Sequence, residues 1–568
     1  MKIVIVGGVA GGATAAARLR RLDEKAQIVV LERTGYVSYA NCGLPYYIGG
    51  VIEDQGELTL QTPESFCRRF NIDVRIKQEV TKINTDQKTV SVKDLRTGRD
   101  YDESYDKLIL SPGARPSVPD LPGTDSRYLF TLRTVEDTLK IRQYALEHKE
   151  GTAVIIGGGF IGLEMAENLV ELGMSVTVIG RSRQIMSNLD YDMAVLIHAL
   201  LRKKGIRLIL EGRVEGFEEE GQRVKVLLAG SMQKGAEQIP ADMVILAAGV
   251  VPETALAKDA GLELGQKGSI VVNDRMETSV PDIYAVGDAV QVKHLVSGKD
   301  AVISLAGPAN KQGRIAADNI CGIDSHYKGS QGSFVIKLFQ MTAAGTGLNE
   351  KSAKAAGFSY EKVILSPSSH AGYYPGAKVM TMKILFERGT GRILGAQIVG
   401  QEGVDKRIDV LAAAISLGAC AEQLKDLDLS YAPPYSSAKD PVNMAGFMID
   451  NLLSGRVKQF HWEQIPGLLK NRDVTLVDAR TKVEYDRGHI EGFINIPVDD
   501  LRKKKGILDP SRPVYVMCQS GIRSYIACCI LSGSGYDCYN FSGGWRFYEA
   551  VTKEKQLCEE AWPCGMDR

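Results

Sequence analysis

No uninterrupted apolar stretch in the 568 residues is long enough to span a bilayer, which argues against an integral membrane helix. Charge of one sign is not in excess either: Lys and Arg number 69, and so do Asp and Glu. A balanced sum gives no reason to expect nucleic acid or an anionic membrane as partner, although a local basic patch stays open. Paired CxxC spacing is missing. The ten cysteines are scattered, and the group near the C-terminus (Cys518, Cys528, Cys529, Cys538, Cys558, Cys564) keeps no such spacing, so no metal site is expected. In a reducing compartment an isolated cysteine is either inert core or a reactive thiol. Low-complexity segments are absent as well. The opening MKIVIVGGVAGGATAAA has the Lys and apolar run of a leader peptide, yet it reads better as a strand running into a glycine turn. Arg18, Arg20 and Arg21 fall where a cleavage site would lie. A cytoplasmic protein is expected.

What is present starts with a repeat. The length allows about three or four domains. Lys2–Glu32 reads strand, glycine turn, helix, strand, and Ala153–Arg181 reads the same way. Two such units imply two dinucleotide sites. DKLILSPGARP, with Ser111 and Gly113, is a buried strand ending in a turn, and DMVILAAGVVPET repeats that theme. TSVPDIYAVGDAV brings a short strand into Gly287, Asp288 and Ala289. From about Gly329 alternating strands followed by helices indicate an α+β domain. Past Leu453–Phe460 a further α/β unit begins.

Glycines in Gly7-Gly8-Val9-Ala10-Gly11-Gly12 let the backbone turn tightly and approach a pyrophosphate at a helix N-terminus. Glu32, at the end of the next strand and followed by Arg33, is placed to accept hydrogen bonds from a ribose. Val9 departs from the GxGxxG pattern, so this cluster alone also suits a plain tight turn. Gly157, Gly159 and Gly162 complete the pattern in the second copy. There the strand ends in Gly180-Arg181-Ser182-Arg183 with no acidic residue. The arginines either pair with a 2′-phosphate or stand as solvated loop charges, so NADPH and NADH both remain open with a lean toward NADPH.

The two fingerprints, SPGA and YAVGDA, in this order, resemble the pyridine nucleotide–disulfide oxidoreductases over roughly residues 1–445. The resemblance implies FAD on the first fingerprint, NAD(P)H on the second, and Asp288 at the flavin ribityl chain. SYANCGLPYY, Ser38–Tyr47, selects the branch. It holds one cysteine, Cys42, where relatives of the glutathione reductase type carry two. A lone thiol cannot close its own disulfide, so the second sulfur comes from substrate or from oxygen chemistry. The motif is similar to coenzyme A disulfide reductases, persulfide reductases and NADH oxidases. Cys67, on a helical-looking segment, is expected as a packing residue. Cys42 needs a lowered pKa, from a helix N-terminus or the oxidised flavin, to work at neutral pH. The resemblance further implies a homodimer in which Tyr374 and Tyr435 of the partner serve the sulfur. It also implies that Thr14, Arg18 and Arg21 surround the phosphates and pantetheine of CoA, with Ser38 and Asn41 nearer the thiol. Arg18 and Arg21 share a helix face at i, i+3 spacing, which also suits a solvated face.

Cys518-Gln519-Ser520-Gly521-Ile522-Arg523-Ser524 follows the strand PVYVM, and with DAR, GHIEGFINIP and FSGGW it resembles a single-domain rhodanese over about residues 461–551. Loop N–H groups and Arg523 would cradle an anion and depress the thiol pKa. Cys528 and Cys529 are expected in the core; Cys558 and Cys564 fall in an irregular tail.

The fold class is therefore α/β: two Rossmann-like domains for FAD (1–150 and 273–327) and NAD(P) (151–272), an α+β dimerisation domain (328–450), a linker (451–460), a rhodanese-like α/β domain (461–551) and a tail (552–568). The expected activity is NAD(P)H-dependent reduction of a CoA-type persulfide or disulfide, a small-molecule partner, with the rhodanese handling sulfane sulfur. An NAD(P)H oxidase, or a flavoprotein redox sensor with a rhodanese docking module, stands as the alternative.

Overall fold

The computed structural model describes residues 1–231 and 235–559, which form two compact units. The first comprises Met1–Met186 and Leu201–Gly332, the second Ser187–Leu200 and the chain from Ser333 onward.

In the first unit, Lys2–Val6, Gln27–Glu32, Asp73–Ile76, Lys107–Leu110 and Ile283–Ala285 form one parallel sheet. Apart from the edge strand Asp73–Ile76, their apolar runs are buried on both faces, which is why they lack polar–apolar alternation. Ile283–Ala285 returns to this sheet after the second βαβ unit, so the first domain is discontinuous. Thr152–Ile156, Ser175–Ile179, Arg207–Ile209, Met243–Leu246 and Leu129–Phe130 make a second parallel sheet. Each sheet places a glycine turn and a helix N-terminus at the carboxyl end of its first strand, where open α/β sheets bind ligands.

In the second unit, an antiparallel sheet orders Phe334–Leu338, Met341–Gly347, Ile393–Gly400, Thr381–Glu387 and Tyr360–Leu365. A parallel sheet orders Lys458–Phe460, Cys538–Phe541, Val514–Met517, Thr475–Asp478 and Ile494–Asn495. The two are joined directly: the Ile364 N–H donates to Ser542 Oγ at 3.0 Å, and Gln459 Nε2 donates to the Lys362 carbonyl at 2.7 Å. Stretch 451–460, expected as a linker, is the end of the Pro441–Leu453 helix followed by a strand paired with Lys458's parallel neighbour Tyr539. The expected tail is corrected too, since the last helix, Gly544–Glu559, runs through its first part. Cys558 and Cys564 keep no structural account, because the Cys558 side chain and all of Cys564 lie outside what is described.

Lys383, fully buried, is held by Asp190, Asp192 and Glu350. These carboxylates lie close enough to hold a metal ion, but the ammonium fills their centre. Among the described residues no helix is long and apolar enough to cross a membrane.

Candidate active sites

The first glycine cluster is shaped by contact. Gly7 takes φ +93°, and a Cβ on it would lie 2.1 Å from the Ser111 carbonyl oxygen. A Cβ on Gly12 would lie 1.9 Å from the Gly7 oxygen, so the strand, turn and Ala10–Leu22 helix close only without side chains. Glu32 is buried and accepts from the Gly8 N–H (2.9 Å) and the Thr34 N–H (2.8 Å), which fixes its carboxylate beside the turn. Arg33 reaches Glu253 across 3.5 Å. In the second copy a Cβ on Gly162 would lie 2.1 Å from the Gly157 oxygen, whereas one on Gly159, at the helix N-cap, would meet open space. That open approach to unpaired helix N–H groups fits a pyrophosphate. Arg181 is exposed on the loop after Ser175–Ile179.

Cys42 lies in the short turn Asn41–Gly43 ahead of the Leu44–Ile48 helix. Two residues that spacing did not reveal organise its surroundings. Arg133 donates through Nη2 to Asp288 at 2.9 Å, and with the Asn41 amide turned to satisfy both bonds, it pairs with Asn41 at 3.2 and 3.3 Å. Glu164, on the Phe160–Glu171 helix packed against Leu44–Ile48, accepts from Tyr46 Oη at 3.4 Å. Burial, then the neighbouring Glu167, raises the Glu164 carboxyl to about 7, against the Tyr46 bond. Although Cys42 is an exposed residue, the protein packed around its thiol is the first cause of an upward shift, with Glu164 and Asp288 adding to it and Arg133 opposing. Burial and these two carboxylates thus work against ionisation, and Arg133 favours it. Ser38 has φ +45°, and its N–H donates to the Gly8 carbonyl, tying this loop to the first glycine turn.

On the Ala10–Leu22 helix, Thr14 donates to Asn310 Oδ1 (2.6 Å) and Arg18 to Asp318 Oδ1 (2.6 Å), while Arg21 is exposed. The packed helix Ala306–Ile320 adds exposed Lys311 and Arg314 to the same region. Cys67 and Cys529 are exposed, which corrects their expected place in the core; Cys528 is buried as expected.

In the second unit four exposed tyrosines occupy two loops. Tyr373 and Tyr431 bring their hydroxyls to 2.5 Å, and that bond raises the Tyr431 pKa. Tyr374 instead sets its ring edge-on against His370, 5.7 Å between centroids. Tyr435 is 72% exposed. Neither Tyr373 nor Tyr431 carries a motif of its own, so only the folded loops disclose the pair.

Cys518, buried, directly follows the Val514–Met517 strand. Its sulfur accepts from the Gly521 N–H at 3.2 Å and from Ser524 Oγ at 3.3 Å. A Cβ on Gly544 would lie 2.7 Å from the Cys518 carbonyl oxygen, which accounts for the second glycine in FSGGW. Arg523 is engaged differently from expectation. Both its terminal nitrogens donate to Glu484 at 2.7 Å, and that bond holds Glu484 at about 2. The fork neutralises much of the positive charge that the loop was expected to supply.

Comparison with known proteins agrees with this geometry. A coenzyme A disulfide reductase of Staphylococcus aureus (strain JH9) is 38% identical over 447 residues, 78% of this chain and 99% of the relative. The reduced Bacillus anthracis CoADR-RHD structure superposes with a TM-score of 0.94 at 47% identity, covering 97% of this chain and 98% of that one. A NAD-dependent persulfide reductase from A. fulgidus gives 0.89 at 37% identity, covering 96% and 100%. Family models match the pyridine nucleotide–disulphide oxidoreductases over residues 1–313, their dimerisation domain over 334–441 and a rhodanese-like domain over 462–550. The chain therefore belongs to the pyridine nucleotide–disulphide oxidoreductase family, which supports FAD and NAD(P)H as its cofactors, and it carries a rhodanese-like domain.

Proposed function

We propose that the chain is a homodimeric FAD-dependent reductase of coenzyme A persulfide, in which Cys42 handles the sulfur to be reduced and Cys518 collects sulfane sulfur. The observation that carries this reading is the presence of two separate single-thiol sites in one chain. Cys42 stands alone in its turn beside a dinucleotide fold, and Cys518 sits in a loop whose N–H and hydroxyl donors already face its sulfur. Reducing CoA disulfide needs only the first. Two similar structures that extend over the rhodanese region, the B. anthracis CoADR-RHD and the A. fulgidus persulfide reductase, support a thiol-linked sulfur substrate.

When bound, FAD supplies the route for an electron pair from NAD(P)H to the sulfur held on Cys42. The residues of this chain do the rest. Gly7, Gly8, Ala10, Gly11, Gly12, Ser111, Gly113, Glu32, Arg33, Asp288 and Ala289 would hold FAD; Gly157, Gly159, Gly162 and Arg181 would hold NAD(P)H. The Cys42 thiolate attacks the persulfide, forming Cys42–S–SH with loss of CoA thiolate, or Cys42–S–S–CoA with loss of sulfide. An electron pair cleaves the new S–S bond, and the leaving sulfur takes a proton. Overall, one NAD(P)H and one proton convert R–S–SH to R–SH and hydrogen sulfide. The proton donor is a tyrosine of the partner, and we assign it to the Tyr373–Tyr431 pair in preference to Tyr374 and Tyr435. A hydrogen-bonded phenol can give up its proton while its neighbour stabilises the phenolate. Thr14, Arg18, Arg21, Ser38 and Asn41 would line the path of CoA, whose phosphates suit guanidinium groups.

The test uses polysulfide as donor with CoA present and oxygen excluded. The relay expects both Cys42→Ser and Cys518→Ser to lose turnover. A Cys518→Ser enzyme at the wild-type rate would remove the rhodanese from the pathway. Oxygen consumption without any thiol substrate would instead mark an oxidase. Arg181→Ala is expected to raise KM for NADPH about tenfold and to spare NADH; equal effects on both would assign Arg181 to neither.

A further inference from the structure

We infer that Arg407 is a positioning residue for the tyrosine pair, a reading that rests on the proton-donor role assigned above. Arg407 lies on the first turn of the Val404–Ser416 helix and is 1% exposed. Its Nη2 donates to the Ser369 carbonyl at 2.9 Å and to the Tyr435 carbonyl at 3.2 Å. The same nitrogen reaches Ser436 Oγ at 3.2 Å, and Nε and Nη2 both reach Asp440 Oδ2, at 3.2 and 2.9 Å. Ser369 begins the SHAGYYPGA loop that carries Tyr373; Tyr435 and Ser436 end the SYAPPYSS loop that carries Tyr431. One guanidinium therefore bonds both loops whose tips bring the phenols together.

Further contacts close the device. Ser436 Oγ donates to Asp440 Oδ2 at 2.6 Å, and the Ala371 N–H donates to the Ser436 carbonyl at 3.0 Å. Lys406 reaches the carbonyl of Ser430, next to Tyr431, at 3.5 Å. Gly403 takes φ +69°, and a Cβ there would lie 2.1 Å from Arg407 Nη1, so the glycine leaves room for the guanidinium. A well-packed apolar side chain stabilises a protein interior as well as a buried ion pair does. What a guanidinium adds is a planar fork of donors with fixed directions, which lysine lacks. Here those directions set the separation of two loops that are otherwise exposed at their tyrosines.

The test compares wild-type, Arg407→Lys, Tyr373→Phe and the double variant as flavin-loaded dimers. Reduction of CoA persulfide needs a proton at sulfur, whereas NAD(P)H oxidation by ferricyanide needs only electrons. Arg407→Lys is expected to lower kcat for persulfide by about tenfold or more and to leave the ferricyanide rate within about twofold. Added to Tyr373→Phe, it should cost nothing further, because both changes act on one donor. An Arg407→Lys enzyme with wild-type persulfide kcat, or losses that multiply in the double variant, would overturn the positioning role. Should Arg407→Lys not assemble, Ser436→Ala is measured in its place, with a smaller loss of the same non-additive kind expected and the same outcomes overturning the role. A fully active Tyr373→Phe would overturn the tyrosine reading itself, and the role of Arg407 with it.

Discussion

Burial raises the Cys42 thiol pKa first, and charges far from it in sequence, Glu164 and Asp288 against Arg133, adjust it further. Glu164, raised to about 7, is neutral below that pH and ionised above it, and only the ionised form pushes the Cys42 thiol up. Glu164→Gln should therefore leave Cys42 reactivity unchanged well below neutrality and increase it several-fold above. Alkylation of the Cys42 peptide by iodoacetamide, followed by mass across about pH 6 to 10, reads this directly. Equal profiles would mean that Glu164 does not reach the thiol. At the second thiol, Glu484→Gln releases Arg523 from its fork. Cys518 should then react faster with anionic iodoacetate relative to neutral iodoacetamide, and an unchanged ratio would place the Arg523 charge out of range. Cys42 and Cys518 were legible in the sequence because each sits in a local motif, and for Cys518 the motif's own Gly521 and Ser524 face the sulfur. Arg133, Glu164 and Glu484 were not. Each acts across 39 to 155 positions through a fold that no spacing encodes, and a lone Arg or Glu has the look of a solvated side chain.

At the scale of elements, the two βαβ units were readable because continuous apolar runs and glycine turns leave few alternatives. The glycine contacts make this testable. Gly12→Ala would set a methyl against the Gly7 carbonyl at 1.9 Å, and should yield protein with the flavin absorbance reduced or lost. Gly162→Ala, at 2.1 Å from the Gly157 carbonyl, should keep the flavin spectrum and raise KM for the nicotinamide nucleotide. If both variants fail in the same way, the two sites are not separate. The 451–460 stretch misled because its polar composition is that of a linker. Lys458–Phe460 is an edge strand, paired on one side only, and such strands carry polar residues for the same reason linkers do. The antiparallel sheet was expected as strands, but the loops between them, where the tyrosines pair, follow from tertiary contacts alone.

Across the whole molecule charge is balanced in sum, and a few of the ion pairs are buried. Lys383 with Asp190, Asp192 and Glu350 is the largest of these that the second unit shows. Lys383→Met would leave the carboxylates buried without their cation and is expected to destabilise by about 3–5 kcal/mol, seen as a lower Tm. Glu350 is held far below the ordinary carboxyl range despite its burial, by Lys383 first and then Lys362. Its contribution is therefore present above the unfolded value of about 4.3 and lost as pH falls from there toward the depressed value. A Tm that is insensitive to the substitution at neutral pH would show the network to be dispensable.

In the proposed function one flavin-linked cysteine reduces a CoA-type persulfide. The most direct measurement is anaerobic oxidation of NADH and of NADPH with CoA persulfide and, separately, CoA disulfide, with sulfide counted against nucleotide consumed. Faster turnover with the persulfide, one sulfide per nucleotide, and loss of both in Cys42→Ser are expected. Faster turnover with the disulfide, or sulfide release that survives Cys42→Ser, would contradict it.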